Sequence, residues 1–146
     1  MSDPEDIYNW RRLDSRLTTS GQPTEAQLHA IAALGVDCVV NLGLHSHPKA
    51  LPDETASVAA LGIQYVHQPV DFQNPTVEDL TRFCDLMDRL DGRTIHVHCI
   101  ANWRASAFLY RWRIDRLGWN EAQGRPDLDA IWTPEGPWAG IVRGRA

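Results

Sequence analysis

A cysteine and an arginine stand five positions apart in the stretch HVHCIANWRAS, residues 96–106. The run before Cys99 is typical of a buried strand, and a helix-like sequence starts at Arg104. In such a strand-to-helix turn, free backbone amides and the guanidinium would stabilise negative charge. We therefore expect the Cys99 thiol to ionise more readily than a free thiol, with room for a phosphate dianion in front of the sulfur.

That pairing allows one specific reaction. A thiolate held against phosphorus can displace an ester oxygen and form a phosphocysteine, which water then hydrolyses. The leaving oxygen needs a proton, and Asp71 in the stretch VDFQNP is the candidate acid. The phosphate would be bound by Arg104 and by the main chain of the turn, which comprises Ile100, Ala101, Asn102, Trp103 and Ala105.

Alternating strand and helix patterns must position these residues. The sequence predicts helices over 23–35, 53–62, 76–92 and 104–118, and strands over 36–44, 63–70 and 93–99. A further strand is indicated in RLTTSGQP, residues 16–23. Such alternation implies a mostly parallel sheet of about four strands flanked by helices, in a single α/β domain.

Helix-end signals support this assignment. Thr24 and Gln27 have the spacing of a capping box, and Gly35 follows the last apolar position of the same helix. Residues 1–16 are predicted to be an N-terminal extension of the one domain, 1–146. The Trp-, Pro- and Gly-rich segment 120–146 is predicted to wrap the surface, with a short helix around 127–132.

The predicted topology brings distant residues together. Ligands of open parallel sheets bind beyond the carboxyl ends of the strands. Here those ends are followed by His45-Ser46-His47, by Asp71 and by Cys99. The two histidines are therefore candidate rim residues of the same site. Their His-x-His spacing could also contribute to a metal site, but only with more ligands, of which Cys99 could be one.

Composition excludes other classes of function. The net charge of −5 gives no reason to expect binding to nucleic acid or to an anionic membrane, and no apolar run reaches the ~18 residues of a membrane span. The N-terminus is acidic and polar, unlike a secretory signal. Three cysteines, an odd number, indicate reduced thiols and a cytoplasmic protein.

The motifs also resemble a known family. His98-Cys99 at a strand end, followed by Arg104, is similar to the signature loop of the protein tyrosine and dual-specificity phosphatase superfamily. SGQPTEAQL, GVDCVVNLGL and HCIANWRASAF look like a bacterial branch related to the beta-lactamase-hydrolase-like phosphatase domain. The resemblance implies a metal-independent phosphatase without a cofactor, with Cys99 as nucleophile, Asp71 as general acid, and a phosphorylated protein or small molecule as substrate.

Two departures from the superfamily pattern concern the loop. It has four residues between Cys99 and Arg104, one fewer than the usual tyrosine phosphatase loop, as the bacterial branch also has. Asn102 stands where a glycine is common, and asparagine tolerates left-handed backbone better than most residues. Ala105 intervenes before Ser106, which rotates that hydroxyl by roughly 100° along the helix. Ser106 either still reaches the sulfur or has lost that role.

Several assignments stay open on sequence alone. The short loop also fits a rhodanese-like sulfurtransferase, or a domain that binds phosphate or phosphoprotein without turnover. Asp71 could cap its own turn, and Trp103 could line the pocket or pack in the core. His98 is expected to support the loop by hydrogen bonding rather than to act as a base. Oligomeric state and substrate are not predicted.

Overall fold

The computed structural model describes residues 2–144, which form five strands and six helices. The strands are β1 Arg11–Arg12, β2 Leu17–Ser20, β3 Cys38–Asn41, β4 Gln64–His67 and β5 Ile95–His98. The helices are α1 Glu25–Ala33, α2 Glu54–Ala59, α3 Val77–Arg89, α4 Trp103–Leu117, α5 Glu121–Asp129 and α6 Pro137–Arg143.

All five strands form one sheet, in the order β1-β2-β5-β3-β4. The pairs β2–β5, β5–β3 and β3–β4 are parallel, and only β1 is antiparallel to its neighbour. The predicted α/β fold with a mostly parallel sheet is confirmed. The fifth strand is the two-residue β1, which extends the sheet beyond the predicted strand in 16–23. The carboxyl ends of β3, β4 and β5 lie at one edge.

The sheet is buried on both faces. One face packs against a large core that includes Phe83 of α3 and Phe108 of α4. The other face packs against a smaller core that includes Leu28 of α1 and Val58 of α2. Neighbouring residues of β3 alternate between them, since Val40 belongs to the large core and Val39 to the small one. Burying one valine, leucine or phenylalanine side chain fully stabilises the folded state by about 1.5–3 kcal/mol. Burial on both faces therefore stabilises the central strands that carry the site.

Capping residues begin the helices near the site. The predicted capping box at Thr24 is confirmed, because its side chain accepts the amide of Gln27 and the Gln27 side chain accepts the Thr24 amide. Thr76 forms a second box with Asp79 at the start of α3. Gly35 has a φ of 84°, the left-handed conformation expected just after a helix.

Both terminal segments contribute to the cores. Ile7, in the predicted extension, is 1% exposed and joins the small core. In the tail, α5 begins at Glu121, earlier than the predicted helix around 127–132, because Asn120 and Gln123 form a capping box there. The helix α6 was not predicted, and its Trp138 is buried in the large core. Within residues 2–144 no helix combines the length and apolarity needed to cross a bilayer.

Candidate active site

The turn between β5 and α4 consists of Cys99 to Asn102. Asn102 has a φ of 67°, which confirms that it takes the left-handed conformation for which glycine is common. Its side chain is buried, and both its amide oxygen and its amide nitrogen make hydrogen bonds. Oδ1 accepts the Thr19 hydroxyl at 2.9 Å, and Nδ2 donates to the Asn9 carbonyl at 2.9 Å. The side chain thus ties the turn to β2 and to the N-terminal segment, which glycine could not do.

Three successive carbonyls of the turn accept hydrogen bonds from groups outside it. The Cys99 carbonyl lies 3.0 Å from His98 Nδ1. The Ile100 carbonyl accepts the main-chain amide of Gln22 at 2.9 Å, and the Ala101 carbonyl accepts Asn9 Nδ2 at 2.9 Å. The approach of the GQP segment is close, since a Cβ at Gly21 would stand 2.6 Å from the Ile100 carbonyl. These bonds fix the orientation of the turn from behind.

The amides of residues 100–105 make no hydrogen bond to any other described residue. The first intrahelical bond of α4 runs from the Ser106 amide to the Asn102 carbonyl at 3.0 Å, and the helix has no side-chain cap. With the carbonyls engaged and the amides free, the turn and the first turn of α4 can bind an anion.

An open pocket of about 360 Å³ lies against this turn. It is lined by residues that follow three different strands: Leu44 and His47 after β3, Asp71, Phe72 and Gln73 after β4, and Cys99, Ile100, Ala101, Trp103 and Arg104 after β5. The predicted site residues Cys99, Arg104, Asp71 and His47 therefore share one pocket. Leu44, Phe72 and Gln73 were not singled out from the sequence, although Leu44 directly precedes His45 and the other two lie in the quoted stretch VDFQNP.

Arg104 is nearly buried, with 6% of its surface exposed. Its Nη1 donates to the Val70 carbonyl at 2.9 Å, and its guanidinium carbon lies 5.9 Å from the centre of the Phe72 ring. Its Nε is buried and has no hydrogen-bond partner among the residues that the structure describes. An unpartnered buried donor is costly, and an anion in the pocket would satisfy it.

Asp71 lies at the exposed side of the pocket. Its Oδ1 accepts the amide of Gln73 at 2.9 Å, so the carboxylate also caps its own turn. The structure thus shows the turn-capping contact that the sequence allowed and also places the carboxylate in the pocket with Cys99. The second carboxylate oxygen has no bond to any described residue and could transfer a proton.

The three cysteines form no disulfide with one another, and their surroundings differ. Cys38 and Cys84 lie in the large core, and burial raises the pKa of both thiols to about 11. Cys99 belongs to the same core and has no exposed surface, but unlike the other two it also lines the pocket. Only Cys99 therefore combines a thiol with free amides and an arginine.

Behind the turn, His98 contacts a residue that sequence reasoning missed. Its Nε2 lies 2.5 Å from Oε2 of Glu54, and both side chains are buried. Burial by itself raises the pKa of Glu54, but the hydrogen bond and charge of His98 and a bond from Gln22 outweigh it and lower the pKa overall. His98 thus supports the turn by hydrogen bonding, as its position before Cys99 suggested.

Ser106 is directed to the tail side of α4 by its two hydrogen bonds. Its hydroxyl donates to the Trp103 carbonyl at 3.2 Å and accepts Trp132 Nε1 at 3.1 Å. The position directly after Arg104 is the fully buried Ala105. Ser106 therefore supports the start of α4, and neither residue lines the pocket.

Four aromatic rings pack together beside the pocket, and two of them, Phe72 and Trp103, line it. Trp103 is 38% exposed and stacks on Trp132, with ring centroids 4.8 Å apart and planes at 4°. Phe72 contacts both rings as well as Trp138, whose Nε1 donates to the Phe72 carbonyl at 2.8 Å. Trp103 is thus both a pocket residue and a packing residue. The tail holds the segment that carries Asp71.

His45 lies outside the pocket lining, unlike His47. Its ring stacks on His67 with centroids 3.6 Å apart, and its Nε2 lies 2.8 Å from the Tyr65 hydroxyl. Burial lowers the pKa of His67 despite its bond to the Gly43 carbonyl. Within residues 2–144, no three His, Cys, Asp or Glu side chains are grouped so that they could hold a metal ion.

The sequence matches one family model, described as DSP-PTPase phosphatase fused to NAD⁺ kinase, over residues 3–129. No curated protein matches it. Among solved structures, it is similar to a DUF442 protein from Shewanella putrefaciens CN-32 that is assigned as a phosphatase. The two are 35% identical with a TM-score of 0.85, over 97% of this chain and 93% of that one.

Two more distant structures share the fold. P. aeruginosa TpbA, solved as a cysteine-to-serine variant in complex with pTyr, is 16% identical with a TM-score of 0.77, over 99% of this chain and 88% of that one. The core catalytic domain of the PP-IP phosphatase SIW14 from S. cerevisiae, in complex with citrate, is 13% identical with a TM-score of 0.76. It matches over 96% of this chain and 86% of its own.

Proposed function

Because this chain belongs to the DSP-PTPase phosphatase family, we propose that it hydrolyses phosphate monoesters through a phosphocysteine intermediate. One observation carries the proposal. Cys99, Asp71 and Arg104 line one pocket, and among the described residues neither the buried Nε of Arg104 nor the amides of the adjoining turn have a partner. A phosphate dianion satisfies all of these donors at once.

Substrate binding would use the turn and Arg104. The free amides of residues 100–105 and the guanidinium donate hydrogen bonds to the non-bridging oxygens of the phosphate. This places the Cys99 sulfur behind phosphorus. The same donors stabilise the charge that develops on those oxygens in the transition state.

In the first chemical step, the Cys99 thiolate forms an S–P bond while the bond from phosphorus to the ester oxygen breaks. Asp71, protonated at its second oxygen, gives its proton to the leaving oxygen. In the second step, water attacks phosphorus as Asp71 accepts a proton from it, and the S–P bond breaks. Thiolate, inorganic phosphate and protonated Asp71 are regenerated, and the proposed cycle uses no metal or cofactor.

The proposed substrates are phosphorylated proteins or phosphorylated small molecules. TpbA was solved with pTyr, and SIW14 is a PP-IP phosphatase, so the fold accommodates both kinds of ligand in other proteins. We propose a cytoplasmic location, because a reducing compartment keeps three unpaired thiols reduced.

The deciding experiment is turnover of an aryl phosphate by the purified protein in the presence of a chelator. We expect metal-independent hydrolysis that Cys99→Ser abolishes, because a serine hydroxyl is far less ionised. Undiminished hydrolysis by that variant would overturn the mechanism.

A second candidate is a domain that binds phosphate without turnover. It is favoured by the bond that Asp71 already makes to the Gln73 amide, which occupies one oxygen of the proposed acid. Binding of inorganic phosphate without hydrolysis would identify it. Sulfur transfer, the third interpretation of the loop, would appear as cyanide-dependent formation of thiocyanate.

A further inference from the structure

Glu54 is a buried carboxylate that the proposed mechanism does not use. It is the first residue of α2 and is 2% exposed. Its two oxygens contact different partners: Oε2 lies 2.5 Å from His98 Nε2, and Oε1 accepts Gln22 Nε2 at 2.9 Å. A buried carboxylate destabilises a protein unless hydrogen bonds and a counter-charge compensate it. The environment of Glu54 provides both.

The contacts of His98 define where its protons are. The Cys99 carbonyl, 3.0 Å from Nδ1, can only accept, so Nδ1 carries a hydrogen. Oε1 of Glu54 accepts a hydrogen bond from Gln22 Nε2, and Glu54 stands in the first turn of α2, where the helix dipole favours negative charge. Both contacts favour the ionised carboxylate, and the pKa of Glu54 is lowered overall. An ionised carboxylate also only accepts, so Nε2 carries a hydrogen as well. His98 is then an imidazolium that donates from both sides of its ring.

The same carboxylate reaches the turn by a second route. The Gln22 side chain donates to Glu54, while the Gln22 main-chain amide donates to the Ile100 carbonyl at 2.9 Å. Glu54 is therefore bonded to both residues that hold the carbonyls of Cys99 and Ile100. These are the first two carbonyls of the turn.

We propose that Glu54 is a positioning residue for Cys99, acting through His98. By fixing His98 as a double donor, it holds the Cys99 carbonyl behind the turn, leaves the amides free on the pocket side, and keeps a positive charge on the residue that precedes Cys99. The inference rests on the proposed role of Cys99 as a reactive thiolate. It adds a group that does not touch the substrate.

Other titratable groups surround this pair. His45, Tyr65 and His67 contribute to the electrostatic environment of Glu54 or are influenced by it, and His96 faces His98 with ring centroids 6.3 Å apart. Burial raises the pKa of Tyr65 and lowers those of His67 and His96, so these three are neutral at pH 7. They leave Glu54 as the buried counter-charge of His98.

The test is the pH dependence of Cys99 alkylation by iodoacetamide, followed by mass spectrometry, in the unmodified protein and in Glu54→Gln. We expect the midpoint to move up by about one pH unit, so that labelling at pH 6 slows about tenfold. Glu121→Gln is the matched control, because Glu121 is also the first residue of a helix but is exposed. It should leave the midpoint unchanged.

A double-mutant cycle tests whether the effect passes through His98. Asparagine at position 98 can still donate to the Cys99 carbonyl but cannot carry the charge. In His98→Asn, adding Glu54→Gln should change the alkylation midpoint no further. An equal shift in both backgrounds, or no shift in either, would overturn the proposal even if Glu54→Gln lowered the melting temperature.

A measurement on the unmodified protein covers the case in which Glu54→Gln fails to fold. Long-range ¹H–¹⁵N NMR at pH 7 should show both ring nitrogens of His98 protonated, and an unprotonated Nε2 would contradict the proposal. Neither measurement requires turnover. If the aryl phosphate assay fails while these results hold, Glu54 positions a thiolate that serves other chemistry.

Discussion

Arg104 donates a hydrogen bond from Nη1 to the main-chain carbonyl of Val70, 2.9 Å away, and Val70 directly precedes Asp71. The proposed phosphate-binding side chain is thus tied to the segment that carries the proposed acid. Because Nη1 is engaged in this way while Nε has no partner among the described residues, the arginine is oriented before any ligand arrives. Preorganised donors of this kind need little rearrangement during the reaction.

The first prediction concerns this arginine. Arg104→Ala should weaken binding of vanadate or inorganic phosphate by more than ~1.5 kcal/mol, the lower range for a charge-assisted hydrogen bond. Arg104→Lys keeps the charge but loses the planar donors and the hydrogen bond to the Val70 carbonyl. Its affinity for the anion should therefore lie between those of the unmodified protein and the alanine variant. Isothermal titration with vanadate measures both. Unchanged affinity in the alanine variant would remove Arg104 from the site.

The second prediction separates the two roles of Asp71. Asp71→Asn retains an oxygen that can accept the Gln73 amide, so the turn should persist while the acid is lost. We expect kcat to fall about a hundredfold on substrates with poor leaving groups. The loss should be much smaller for p-nitrophenyl phosphate, whose leaving group scarcely needs a proton. Equal losses on both substrates would show that Asp71 supports only the turn.

The third prediction concerns the order in which the cysteines react. At pH 6, iodoacetate should label Cys99 ahead of Cys38 and Cys84, because burial raises the pKa of the latter two to about 11. Inorganic phosphate should protect Cys99. Peptide mapping after partial labelling measures the order, and prior labelling of either core cysteine would contradict it.

The fourth prediction concerns Asn102, whose φ is 67°. Asn102→Ala should destabilise the protein by about 1–2 kcal/mol through backbone strain, in addition to the loss of its bonds to Thr19 and Asn9. Asn102→Gly relieves the strain but also loses those bonds. Urea unfolding should therefore rank the unmodified protein above the glycine variant and the alanine variant last. A glycine variant as stable as the unmodified protein would mean that the side-chain bonds contribute nothing.

The fifth prediction concerns His96, which is buried between the hydroxyls of Thr18 and Ser20, each 2.8 Å from a ring nitrogen. Burial, with a smaller effect of His98, lowers its pKa well below the ordinary 6.5. As pH falls below 6.5, the unfolded chain binds a proton that the folded chain does not, so stability decreases. The decrease should approach about 1.4 kcal/mol per pH unit.

Urea unfolding between pH 7.5 and 5 measures this slope. His96→Asn, which cannot titrate, should flatten it, although His67, whose pKa is also lowered by burial, keeps a smaller slope in place. His29→Asn is the control, because His29 is exposed on α1. An identical slope in His96→Asn would show that His96 is not the group responsible.

The sheet and the pocket could be predicted because they depend on local pattern and topology. The valine-rich run 36–44 indicated a strand buried on both faces, and the sheet edge then brought Asp71 and Cys99 together. The strand β1 could not be predicted, because two arginines carry no strand pattern and pair only where Thr18 and Thr19 offer an edge.

Glu54 shows why the residues that support the turn could not be predicted from the sequence. A glutamate in the first turn of a helix is usually exposed and favoured there by the helix dipole. Its burial depends on His98, 44 positions away, and on Gln22, 32 positions away, and no local pattern encodes those contacts. The helix α6 was missed for a similar reason, because Gly140 interrupts its pattern and the burial of Trp138 stabilises it.

The parallel stack of Trp103 on Trp132 gives the protein an optical reporter of its own. Two indoles 4.8 Å apart with planes at 4° are close enough for their electronic transitions to couple. Where the two transition dipoles are rotated relative to each other within those planes, this coupling gives a paired band in circular dichroism. Trp103 lines the pocket, so a bound anion or ester alters the field on one member of the pair. Occupancy of the pocket should therefore be visible in the spectrum of the unlabelled protein.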